Sequence, residues 1–151
     1  MADDVPEPRV RQAIAADLDT LCRIEALAAL SPWDRSRFED SLARHRMLVL
    51  QANREVAGFA VFREVLDEAE LLNIAVLPAC RRHGGGRRLL RACRDGLAGG
   101  TRYLHLEVRA GNVPAIALYL SEGFQRVGLR RSYYPAPGGR EDAVLMRLEL
   151  P

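Results

Sequence analysis

Residues 70–86 read ELLNIAVLPACRRHGGG, and this stretch restricts the fold tightly. Residues 70–77 are apolar almost throughout and stop at Pro78, the pattern of a central strand buried on both faces. Residues 87–98 follow as RRLLRACRDGLA. This is an amphipathic helix with Leu89, Leu90, Cys93 and Leu97 inward and Arg87, Arg88, Arg91 and Arg94 outward. A strand, a glycine-rich turn and a helix in immediate succession point to a fold that alternates strands with helices.

The flanking segments extend that pattern. RVRQAI reads as a strand. Residues 15–30 place Leu18, Leu21, Cys22, Ile24, Leu27 and Leu30 at helical spacing, with Asp17 as N-cap. SPW breaks that helix, and DRSRFEDSLAR, with Phe38 and Leu42, reads as a second one. HRMLVLQ and EVAGFAVFREVL read as strands, Gly58 marking a weak point or a bulge in the latter. TRYLHLEVR alternates, with Leu104, Leu106 and Val108 on one face and Tyr103, His105, Glu107 and Arg109 on the other. Asn112 caps the helix VPAIALYLSEG, which Gly123 ends. Its core face is assigned to Val113, Ile116, Ala117 and Leu120, leaving Tyr119 off that face with Asn112. FQRVGLRRSYY and EDAVLMRLEL read as strands joined by a PAPGGR loop. The order β-α-α-β-β-β-α-β-α-β-β predicts a mixed α/β (α+β) sheet in one domain over 1–151, with residues 1–8 a mobile tail.

Bulk properties exclude several function classes. A net charge of +2 argues against binding polyanions by overall charge. All 22 basic residues are arginine, so no lysine can form a Schiff base. Cys22, Cys80 and Cys93 are odd in number and lack CxxC spacing, and the histidines lack ligand spacing, so neither a disulfide frame nor a metal is expected. The acidic start MADDVPEP has no apolar run behind it, and no stretch reaches membrane-spanning length. A cytoplasmic protein without a membrane partner is expected.

Arg82, His83, Gly84, Gly85, Gly86 and Arg87 form a candidate anion site. Backbone N–H groups at a helix start, glycines that admit close approach, and flanking guanidinium groups all favour a phosphate. A Walker A loop is excluded by the missing lysine, and Leu89 stands where a dinucleotide fingerprint needs glycine. From the motif alone, a flexible turn before a surface helix with solvated arginines is an equal alternative. Glu107 lies on the polar face of its strand and reads either as a proton acceptor or as a carboxylate paired with Arg109 or Arg102. Tyr119 reads as a cleft phenol or as an amphipathic surface tyrosine. Cys80 belongs to no Cys/His/Asp pattern, so no covalent intermediate is expected.

The pattern Arg81-x-x-Gly84-x-Gly86 after an apolar strand resembles the pyrophosphate loop of the GNAT family of N-acetyltransferases. LDEAELLNIAVLP, LEVRAGNVPAIALYLSEGF, RRSYYPAPGGREDAVLMRLEL and the SPW break resemble its ribosomal-protein alanine N-acetyltransferase (RimI-type) subfamily, specifically so from about Asp67 to Leu150. Gly85 departs from the branched apolar residue usual there, and Cys80 from an aromatic. The resemblance implies strands splayed around acetyl-CoA. Its pantetheine arm would lie along Ile74, Ala75 and Val76, and its pyrophosphate on the glycine loop. It also implies Glu107 as general base, Asn112 as a cofactor contact, and Tyr119 as cofactor contact and thiolate acid. The acceptor it implies is the N-terminal alanine of protein eighteen of the small ribosomal subunit, reached by direct transfer in a ternary complex. Its groove would lie between SPWDRSRF and a loop carrying Tyr133 and Tyr134. Three other readings remain. One is an acetyltransferase of the same fold acting on other N-termini, lysines or small amines. A nucleic-acid module on the arginine helix is disfavoured by the near-neutral charge. A silent acetyl-CoA sensor is disfavoured by the intact Glu107 and Tyr119.

Overall fold

In the computed structural model, residues 7–81 and 83–151 are described. The tail expected over 1–8 thus falls largely outside the described residues. Seven strands form a sheet in the order β1-β2-β3-β4-β5-β7-β6. The strands are β1 (Arg9–Gln12), β2 (Arg46–Ala52), β3 (Glu55–Val65), β4 (Glu68–Val76), β5 (Tyr103–Arg109), β6 (Gln125–Ala136) and β7 (Gly139–Glu149). The helices are α1 (Leu18–Ala28), α2 (Arg35–Arg44), α3 (Gly85–Asp95) and α4 (Val113–Ser121). The element order and the mixed α/β class agree with the sequence reading. No helix among the described residues is long and apolar enough to cross a membrane.

The chain packs as two compact units, one holding residues up to Phe62 with Asn73–Gly96, the other Arg63–Leu72 with Leu97–Pro151. In the first, β1, β2 and β3 form an antiparallel meander. Leu21, Ile24, Phe38, Val49, Phe59, Phe62, Leu89 and Cys93 are wholly buried beneath its helices. Phe38 meets Phe59 edge-on at 5.3 Å. Each such side chain contributes about 1.5–3 kcal/mol by leaving water. Leu50 pairs with Gly58 but Gln51 with Val56, so Ala57 is bulged out beside the glycine, as the sequence suggested. The Ala57 carbonyl accepts from the Leu77 N–H at 2.8 Å. A Cβ on Gly58 would stand 2.8 Å from the Ala75 carbonyl oxygen, so only glycine permits this approach.

In the second unit, Glu68–Leu71 of β4 runs parallel to Tyr103–Leu106 of β5. β5 then pairs antiparallel with β7, and β7 with β6. The alternation read in β5 is observed, with Leu104, Leu106 and Val108 buried.

Four details depart from the sequence reading. β4 is not buried on both faces: residues 72–75 are half-exposed, beyond the four-residue parallel register. Leu27 and Leu30 are exposed, because α1 ends at Ala28 and its core stripe stops at Ile24 and Glu25. Asp17 precedes α1, but its carboxylate is occupied by Arg11 and the Ile14 N–H instead of capping the helix. On α4, Val113, Ala117 and Leu120 are exposed while Ile116 and Tyr119 are buried. The segment is apolar nearly all round, so the pattern did not fix which side turns inward.

Candidate functional site

In the first unit, β4 ends at Val76, and a short 3-10 turn, Pro78–Cys80, leads to the glycine loop. Ile74 and Ala75 are half-exposed and Val76 is buried. Gly84 takes the left-handed conformation, φ +77°, with nothing within 4 Å of where a Cβ would stand. It is the N-cap of α3, which starts at Gly85 and not after the glycines. The first intrahelical bond runs from the Arg88 N–H to the Gly84 carbonyl at 3.0 Å. Hence the N–H groups of Gly85 and Gly86 have no acceptor within the helix. These donors, the helix dipole and the open side of Gly84 form a cradle that fits a phosphate. Gly85 itself is buried, and a Cβ there would meet Leu50 Cδ2 at 2.6 Å. The Leu50 methyl thus fills the room that a branched side chain would take. Arg81 and His83 are exposed and Arg87 is half-buried. Arg82 lies outside the described residues.

The SPW segment is fixed within the same unit. The Trp33 N–H donates to Glu25 Oε2 at 3.2 Å, and the Trp33 ring packs at 5.4 Å on Phe38, with Arg37 at 4.1 Å over its face. Cys80 is half-buried on its turn.

In the second unit, Glu107 sits on β5 opposite Leu145 of β7. Its Oε1 lies 3.0 Å from Nε of Arg130 on β6. Arg102 pairs with Asp67. Arg109 donates to the Pro135 carbonyl at 2.8 Å, lies 3.8 Å from Glu141 and stacks 4.6 Å from the Tyr134 ring. Tyr134 is half-buried, and burial, reinforced by the charge of Glu107, pushes its phenol up to about 12. Tyr133 and Tyr134 lie within β6, not in a loop, because the two strands extend to Ala136 and Gly139. Asn112 Oδ1 accepts from the Ala115 N–H at 3.3 Å and caps α4 as expected. Tyr119 does not share that exposed setting: it is 5 % exposed, its ring 5.7 Å from Phe124.

Several contributors escaped sequence reasoning. Ser132 has a left-handed backbone, φ 51°, at a register shift between Arg130 and Tyr134. Asp142 Oδ1 accepts its N–H at 2.8 Å, and Arg140 donates to the carbonyls of Ser132 and Tyr133. Glu141 accepts from the Gly111 N–H at 3.0 Å, just before α4. The one available signal was the charged cluster RED at 140–142 closing the PAPGGR turn. Together the second unit offers a carboxylate able to take a proton, Glu107, and a phenol able to give one, Tyr119.

Comparison with known proteins agrees with this chemistry. Residues 16–124 match the model of the acetyltransferase (GNAT) family. The chain belongs to the GNAT acetyltransferase family. Membership makes it an N-acetyltransferase, as expected from the sequence. It is 45% identical over 136 residues, 89% of this chain and 92% of the relative, to the Escherichia coli K12 protein named [ribosomal protein bS18]-alanine N-acetyltransferase. The crystal structure of the Escherichia coli ribosomal-protein-S18-alanine N-acetyltransferase superposes with a TM-score of 0.89 at 42% identity, covering 95% of this chain and 94% of that one. Arabidopsis thaliana NAA60, solved in complex with acetyl-CoA, shares the GNAT fold (TM-score 0.87, 19% identity, 95% of this chain and 99% of that one).

Proposed function

We infer that this GNAT enzyme moves the acetyl group of acetyl-CoA to a protein N-terminus, and that its acceptor is the N-terminal alanine of ribosomal protein bS18. The observation that carries the acceptor is the 45% identity to the Escherichia coli enzyme of that name over nearly its whole length. That alignment reaches into both units, which supports reading residues 1–151 as one GNAT domain.

On this reading the pyrophosphate of acetyl-CoA is held by Gly84, Gly85 and Gly86 with Arg82, His83 and Arg87, and the pantetheine arm by the backbone of Ile74, Ala75 and Val76. Asn112 and Tyr119 add further contacts. A free α-amino group has a pKa of about 7.7–8.0, so much of the acceptor arrives as ammonium. Glu107 takes that proton, directly or through water. The amine then attacks the thioester carbon, the C–N bond forms and the C–S bond breaks. Tyr119 gives its proton to the departing thiolate and recovers one from the nitrogen through solvent. The products are the amide and free coenzyme A.

The test is thiol release from acetyl-CoA with an alanine-initiated bS18 peptide, beside the same peptide already acetylated. Turnover with the free N-terminus alone is expected. Glu107→Gln and Tyr119→Phe each should lower kcat about 100-fold or more. Turnover with lysine peptides or small amines in its place would overturn the acceptor while keeping the acetyltransferase.

A further inference from the structure

Glu107 carries a cation already. Arg130 Nε sits 3.0 Å from its Oε1, and the two side chains differ in freedom: Arg130 is 54% exposed and Glu107 25%. The guanidinium is anchored from the solvent side, on the strand just before the Ser132 irregularity. Its carbon also lies 5.4 Å over the Tyr133 ring, a second resting place for the charge. The charge of Glu107 also acts on Tyr134 of β6, whose ring lies against Arg109 of β5, itself 3.8 Å from Glu141 of β7. Arg109 contacts the Pro135 carbonyl, Glu141 and the Tyr134 ring.

We propose that Arg130 is a positioning residue that holds Glu107 until the acceptor's ammonium displaces it, so that cation exchange on Glu107 selects a charged amine. The proposal rests on the reading of Glu107 as proton acceptor. Oε1 of Glu107 is the oxygen that the Arg130 Nε already takes. The arriving ammonium therefore competes with the guanidinium, while an acetylated or otherwise neutral N-terminus brings nothing to exchange. The guanidinium, once released, keeps the face of Tyr133. An exposed ion pair worth about 0.4–1 kcal/mol changes acceptor affinity by roughly two- to five-fold when it is removed.

The experiment compares wild type, Arg130→Gln and Arg130→Lys. Binding of the alanine-initiated peptide and of its acetylated form is measured by calorimetry, alongside steady-state kinetics. In Arg130→Gln the free-amine peptide should bind two- to five-fold tighter and its KM fall likewise, with the acetylated peptide and the acetyl-CoA KM unchanged. Arg130→Lys should restore the wild-type values. Equal affinity in wild type and Arg130→Gln, absence of binding in both, or the same change for both peptides would overturn the exchange. Absence of thiol release in wild type, with the binding difference intact, would overturn the proposed function and leave the exchange standing.

Discussion

Asn73 Nδ2 donates to Glu25 Oε2 at 2.6 Å, and the same oxygen takes the Trp33 N–H. One carboxylate on α1 thereby holds both β4 and the SPW segment, and it is 2 % exposed. Burial raises its pKa above the ordinary 4.5; Asn73, the Trp33 N–H and Arg37 pull the other way and lose. With the folded value raised, the contribution of Glu25 to stability is complete below 4.5 and declines as pH rises through the folded value. Glu25→Gln keeps an acceptor oxygen and removes the titration. Its unfolding free energy should therefore fall less between pH 4.5 and 7 than that of wild type, in denaturant titrations. Glu25→Ala should cost about 1–3 kcal/mol, since two half-buried donors lose their acceptor.

Asp17 has the opposite sign. Arg11 grips both its oxygens at 2.9 Å and the Ile14 N–H adds a third bond at 2.8 Å. The Arg11 bonds hold the carboxyl below its ordinary 3.8 despite burial. That stability is present above 3.8 and is lost as pH falls through the folded value. Asp17→Asn should cost about 1–2 kcal/mol at pH 7, allowing for a half-exposed Arg11, and progressively less as pH falls through the folded value. A gap between the two proteins that is constant with pH would contradict this.

The departure at Gly85 predicts a coupled pair. The Leu50 Cδ2 methyl lies 2.6 Å from where a Cβ would stand, with the Val76 methyls at 3.7 Å. Gly85→Val should cost about 1–3 kcal/mol by overpacking. Leu50→Ala alone opens a cavity and costs about 2–5 kcal/mol. The double variant should be less destabilised than the sum by about 1 kcal/mol or more. Additivity within about 0.5 kcal/mol in a double-mutant cycle would refute the claim that the leucine occupies the branched side chain's room.

What could be read from the sequence depended on how much of the physics was local. The alternation of β5 was legible because one face is buried residue by residue, and Gly84 because a left-handed cap selects glycine. The inward face of α4 was not, since Val113, Ile116, Ala117 and Leu120 leave no polar stripe to orient it. Tyr119 could be singled out, but its burial could not. The Glu107 partner was missed for a different reason. Arg130 reaches it through the register of β5, β7 and β6, and that register contains two irregularities that alternation cannot reveal. Glu25 reads as an ordinary helical carboxylate, because its partner Asn73 lies on a distant strand.

On the proposal that Tyr133 and Tyr134 line the acceptor groove, Asp142 should control acceptor binding without touching the chemistry. Its Oδ1 holds the Ser132 N–H at 2.8 Å, and Ser132 is at φ 51°, a conformation a non-glycine residue keeps only when its surroundings enforce it. Tyr133 and Tyr134 follow directly, their rings 5.0 Å apart and edge-on. Asp142→Ala removes a charge-assisted bond at an exposed site, worth about 1 kcal/mol, which corresponds to a fall in Tm of roughly 2–4 °C. The released strand lets both tyrosines wander, so the KM for the peptide should rise several-fold while the KM for acetyl-CoA stays within error. Adding Ser132→Gly relieves the strained backbone and should return part of the Tm. It should not return the peptide KM, because glycine frees the segment further. A rise in both KM values together would mean that Asp142 supports the fold at large and not the acceptor side.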